Sequence, residues 1–192
     1  MVVLVIGLLI FLVPHSVRIF ADDWRSAQIA RIGAQRWKGA YTLVSVLGLL
    51  LIVWGYSLAR SSPAQLWAPP GWARYAAALL NLLAFILIAA AYVPRNHFKP
   101  TLGHPMLAGT SLWAFAHLLS NGSLGAVLLF GAFLAWAVVD FVSSRRRDAT
   151  TRTVYPPGTL AGDLMASGFG LVAFLLFAFF LHYWLIGVAP FG

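Results

Sequence analysis

The chain contains no cysteine. That excludes a disulfide framework, thiolate ligands to a metal and thioether attachment of a prosthetic group. A metal held here needs histidine, methionine or oxygen donors, of which histidine is the commonest. Charge is almost as scarce. Only 9% of the 192 residues are charged and 61% are hydrophobic, against about 25% and about 45–50% in an ordinary soluble domain. No acid falls in the middle of an apolar run. Asp140, Asp148 and Asp163 lie at run ends or in connections, where solvated carboxylates are expected, which argues against an obligate proton relay. No Ser-His-Asp set, phosphate loop or convincing internal repeat stands out.

What the chain does have is length in its apolar runs. A membrane-crossing helix needs about 20 apolar residues. Six runs qualify: 2–20, 40–58, 72–93, 105–120, 125–142 and 165–188. All are expected to be helical, because an open sheet leaves backbone groups unsatisfied in lipid. The expected fold is all-α, a polytopic transmembrane bundle of six helices forming one domain over 1–192. The fourth run is short and suits a tilted or partly re-entrant helix. The first has no basic residue before it and no clear small-x-small cleavage site, so it is expected to be an uncleaved anchor.

The net charge of +8 suggests nucleic acid until its distribution is considered. The basic residues flank apolar runs, as topology signals do. Eleven of the thirteen fall in the first, third and fifth connections; only Arg60 and Arg74 fall in the second. The basic side is expected to be cytoplasmic, with N-terminus and C-terminus both outside. The bilayer is the expected partner and nucleic acid is not. In the first connection, 21–38, apolar Trp24, Ala27, Ile29, Ile32 and Trp37 interleave with arginines, a pattern that fits an amphipathic interfacial helix. The fifth, 143–162, contains Pro156-Pro157-Gly158 and is expected to be irregular. Asn121-Gly122-Ser123 matches a glycosylation sequon, but a Gly-rich turn is the commoner meaning.

The histidines carry the functional signal. An imidazole in hydrocarbon is costly without a partner, and His15 and His117 both interrupt apolar runs. Two such rings in a small bundle point to a metal or haem held between helices, set against the plainer reading of hydrogen-bonded bundle residues. His117 shares a helix face with Thr110, Trp113 and Asn121. His104, thirteen positions earlier, points to roughly the opposite side of a straight helix. His15 shares a face with Phe11 and Arg18; the arginine suits a carboxylate of a bound group or, as readily, a lipid headgroup. Depth divides the candidates. His15 is about 8 Å from the inner end of its run and His117 about 18 Å from the inner start of its own, so on depth alone His104 matches His15 better. His97 is expected in solvent or at the interface, and His182, beside Tyr183 and Trp184, in an aromatic belt.

Three segments together resemble a known family: Pro14-His15-Ser16-Val17-Arg18, Arg36-Trp37-Lys38-Gly39-Ala40-Tyr41, and His104-Pro105 followed by Trp113 and Ala116-His117-Leu118-Leu119-Ser120-Asn121-Gly122. They resemble the NnrU family, and the resemblance covers essentially the whole chain. It implies a multi-pass protein of the bacterial inner membrane associated with denitrification, needed for nitrite and nitric oxide reductase activity or expression. The related plant and cyanobacterial 15-cis-ζ-carotene isomerases imply a haem b with histidine ligation, hence His15 and His117 as axial ligands and His104 as supporting or alternative ligand. Arg18, Trp113 and Asn121 complete the implied cofactor surroundings. Partners would be denitrification enzymes or a hydrophobic polyene substrate. Three functions compete: a haem protein of nitrogen-oxide metabolism, a haem-dependent cis/trans isomerase, and a cofactor-free membrane assembly partner.

Overall fold

A computed structural model describes residues 1–191 of the chain. Nearly every residue outside the connections is helical: α1 Val2–Phe20, α2 Asp22–Ile32, α3 Ala34–Ser61, α4 Ala73–Tyr92, α5 Phe98–Leu102, α6 Pro105–Ser120, α7 Leu124–Thr151, and α8 Leu160–Leu176 continuing through a π-helical turn, Phe177–Leu181, into α9 His182–Ile186. Five of these stretches are long and apolar enough to cross a membrane, so the chain is a multi-pass membrane protein. α6 has 16 residues and falls short of them on length.

Small residues set how closely the helices approach. α1 and α3 run antiparallel, with Gly7 against Leu51 and Ile52, Gly48 against Phe11 and Gly55 against Leu4. Lipid removes the hydrophobic drive between helices, so close backbone packing of this kind supplies the association. α4 packs against α8 through Gly170 on Ile86, and against α6 through Gly109 on Ala84 and Ile88. α7 joins the two halves. Phe133 touches Phe11 of α1 at 5.6 Å between ring centroids and Trp113 of α6 at 5.6 Å. Leu4, Leu8, Ile52, Ala114, Ala126, Leu129 and Phe130 form the buried centre. Much of the apolar surface faces outward, as lipid-facing helices require; Leu43, Phe169 and Phe180 are examples.

The connections gather at two ends. At one, the Ser123 side chain caps α7 by accepting from the Ala126 amide, and the Leu66 and Trp67 amides donate to the Gly122 carbonyl. The Asn121-Gly122-Ser123 segment is therefore not the expected turn but an extended connection, in which Ser123 pairs with Gln65. At the basic end, buried Asn96 donates to the carbonyls of Ala90 and Val93 and accepts from the Lys99 amide. Thr159 donates to Arg95 O, and the His97 amide and ring both donate to Asp163.

Two further expectations need correction. The segment after residue 142 is not irregular: α7 continues to Thr151, and only the stretch 152–159 before α8 lacks regular structure. Arg and Ala are good helix formers, so the charge that ends an apolar run does not end the helix. As a result Asp140 lies within α7, and Asp148 lies in its last turn rather than in a loop. Similarly α3 begins at Ala34, six residues before the apolar run, and the separate helix of this connection is confined to Asp22–Ile32.

Candidate functional site

A cavity of about 770 Å³ opens at the basic end, between α1, α3, α6 and α7, with α2 and the ends of α4 and α5 along its edge. It lies in the usual size range for small-molecule sites, about 300–1,000 Å³. Its wall is divided in character. Pro14, Ile29, Ala91, Met106, Leu107 and Trp136 supply an apolar side, whereas Arg18, Arg25, Lys38, Lys99 and Arg147 place five cations against the one carboxylate of Asp140. Low-dielectric walls lined by one sign of charge focus the field. The chemistry that fits is a ligand with an apolar body and anionic groups.

His15 is on this wall. Its ring stacks on Phe11 at 4.2 Å and 19°, and meets Tyr41 at 4.9 Å and Trp136 edge-on at 5.8 Å. Its Nδ1 lies 2.6 Å from the Phe11 carbonyl oxygen. A carbonyl only accepts, so the proton is on Nδ1 and the lone pair on Nε2. An outer hydrogen bond of this kind is what fixes the tautomer of a metal-binding histidine.

His104 lines the same cavity from the start of α6. Its Nε2 donates to Asp148 Oδ2 at 3.0 Å, and the Tyr155 hydroxyl donates to the same oxygen at 2.8 Å. Here the lone pair is left on Nδ1, the nitrogen next to Cβ, where the side chain's own bulk hinders a flat macrocycle. Burial, then the hydrogen bond to the Asp148 carboxylate, pushes the Tyr155 phenol up to about 12.

His117 does not join them. It stacks on Phe130 at 4.5 Å, touches Trp113 at 5.1 Å and donates from Nδ1 to the Trp113 carbonyl at 2.8 Å. Asn121 donates to the His117 carbonyl, and the Thr110 hydroxyl turns back to the Met106 carbonyl. Along α7, His15 sits level with Trp136 and His117 level with Phe130, six residues or about 9 Å of rise apart. The two histidines connect through a chain of aromatic contacts, His15–Phe11–Phe133–Trp113–His117. Of the sequence-identified set, the structure brings His15, Arg18 and His104 to one cavity, leaves His117 and Trp113 in the aromatic core beside it, and puts Asn121 at the far end of α6. His97 is exposed but tied to Asp163, and His182 donates to the Val188 carbonyl near Phe177.

Sequence reasoning missed Tyr41, Lys99, Trp136, Asp140, Ser144 and Arg147, all on the cavity wall. The last four follow a spacing of four, four and three, one face of a helix. That signal is hidden once the helix is assumed to stop at residue 142. Asn81 of α4 also escaped. Its Nδ2 donates to the Ala77 carbonyl while its buried Oδ1 has no partner among the described residues.

Fold and site first define a class: a multi-pass helical membrane protein with a cationic, histidine-bearing cavity at one end. The chain belongs to the NnrU family, whose model, described as NnrU protein, matches residues 3–190. No curated protein and no solved structure shows a match to it.

Proposed function

We propose that this chain binds haem b in the cavity at its basic end and serves nitrogen-oxide metabolism in a bacterial inner membrane. The observation that carries the reading is His15, whose hydrogen bond to Phe11 O leaves the Nε2 lone pair uncommitted on a residue that lines a cavity with five cations on its wall. The residues fit the group. The volume admits a ligand of that size, the apolar and aromatic side suits a macrocycle, and Arg18 with its neighbours suits the propionates. Bound iron would supply one-electron chemistry and a site for a small ligand such as nitric oxide. His15 is the iron ligand in this reading, and His104 a supporting residue. The family-derived pair His15–His117 would require the rings of Phe11, Phe133 and Trp113 to part. The link to nitrite and nitric oxide reductases comes from the family resemblance.

Six crossings belong to the same proposal. α6 begins at the basic end, where His104 meets Asp148, and finishes at the other, where Gly122 meets Leu66. With eleven basic residues on one side, both termini lie outside. The apolar half of the cavity favours a second reading, a haem-dependent cis/trans isomerase of a conjugated lipid. Conversion of a 15-cis-carotene by the reduced protein would place that reading first.

The test is the visible spectrum of protein purified from haem-replete cells. A Soret band that shifts on dithionite is expected. It should be lost in His15→Ala and retained in His117→Ala, and His15→Ala should fail to restore nitric oxide consumption to a denitrifying host deleted for the gene. A colourless, folded wild-type protein overturns the haem reading. Loss of the band in His117→Ala with the fold intact moves the iron to the family-derived pair.

A further inference from the structure

Arg145, Arg146 and Arg147 read in the sequence as three equivalent topology charges, but the structure treats Arg147 differently. Its Nη1 donates to Ser143 Oγ at 2.8 Å and its Nη2 to Ser144 Oγ at 2.6 Å. Ser144 is only 4% exposed and donates its own hydroxyl to Asp140 Oδ1 at 3.2 Å, an oxygen 3.7 Å from Arg147 Nη2. The chain Asp140–Ser144–Arg147 runs along one face of α7 at i, i+4 and i+7. An arginine needed only for its charge would be left free in the headgroup region, because fixing a long side chain costs entropy. This one is held on three sides and still lines the cavity.

The two serine bonds use two of the five guanidinium N–H donors, so up to three remain. A planar fork with free donors matches the oxygens of a carboxylate or phosphate. Arg18 of α1 borders both this cavity and the smaller one beside it, as Arg147 does. Asp140 is the one carboxylate on the wall, and its bond partners show it directed at Ser144 and Arg147.

We propose that Arg147 is the anion receptor of the cavity, positioned by Ser144 and Asp140 to hold a carboxylate or phosphate oxygen on an apolar ligand. The inference rests on the reading of the cavity as a ligand site, but not on iron or on His15. Those two claims can therefore fail separately.

The probes are metal-free protoporphyrin, which carries two carboxylates and no iron, and its dimethyl ester. Each is titrated by fluorescence into the full chain in zwitterionic nanodiscs. Wild type should bind the diacid more tightly than the ester. Arg147→Ala should weaken the diacid by about ten-fold or more, the scale of one charged hydrogen-bonded pair, and leave the ester within about two-fold. Arg147→Lys, which keeps the charge without the fork, should fall between; it also serves if the alanine variant folds poorly. Ser144→Ala should move the diacid in the same direction by less. Displacement of the porphyrin by phosphatidic acid in wild type but not in Arg147→Ala identifies phosphate as the oxyanion source and supports the receptor. Equal loss for diacid and ester, or no loss, overturns it. So does a wild type that binds neither probe. His15→Ala should lose haem yet keep the metal-free porphyrin, and that pair of results isolates the receptor from the iron ligand.

Discussion

Each histidine in this chain has one ring nitrogen committed to an oxygen, and the identity of that oxygen assigns its use. His15, His117 and His182 donate to carbonyls; His97 and His104 donate to carboxylates. The sequence supports His15 and Arg18 as a unit because three positions on one helix share a face. It offers no hint that His104 meets Asp148, 44 residues away, or that Tyr155 meets the same carboxylate. That network makes a prediction about pH. The Tyr155 phenol is raised, so the folded state favours its protonated form. Stability is therefore full below about pH 10, the phenol's unfolded value, and falls as pH rises toward about 12. Thermal unfolding in detergent from pH 9 to 12 should show a decline that is shallower in Tyr155→Phe. Equal slopes in both proteins would remove Tyr155 as the cause.

Among the elements, existence was easier to read than length. The runs at 72–93 and 105–120 match α4 and α6 within a residue, because the apolar stretch and the helix end together at Gly, Pro or Ser-Asn-Gly signals. α7 overruns its apolar stretch by nine residues, ending at Arg152 with φ 51 shortly before Pro156. Hydropathy reports where lipid stops, whereas helix propensity and proline report where the helix stops, and the cavity's acid and arginine lie on this overrun or just before it. Glycine positions set the helix pairings. A Cβ on Gly109 would lie 2.8 Å from Ala84 O and 2.9 Å from Ile88 Cγ1, whereas one on Gly131 meets nothing within 4 Å. Gly109→Val should therefore destabilise the α4–α6 pair by about 1–3 kcal/mol. Gly131→Ala should be neutral or stabilise by up to about 1 kcal/mol through helix propensity. Thermal melts of the two variants check this, and a Gly109→Val melt unchanged from wild type would mean that α4 and α6 are less closely packed.

At the scale of the whole molecule, the charge pattern and the connections agree. Ala21, Gly33, Asn96 and Thr159 lie in or beside the connections at the end that holds the cavity; Leu66, Gly122 and Ile186 mark the other, with Arg60 donating to the Ile186 carbonyl. Because the chain has no native cysteine, single reporters are clean. Gln65→Cys should react with an impermeant maleimide on intact cells, and Thr153→Cys only after permeabilisation. Labelling of both from the same side would break the six-crossing arrangement. Composition and the order of residues alone were enough to determine a helical membrane protein with a basic face, because hydropathy, helix propensity and the charge bias are local properties that add along a chain. Which histidine faces a cavity, and which cations gather around it, were decided only by tertiary packing. Those assignments depend on α7 meeting α1 and α6, and on the direction in which each imidazole spends its one proton.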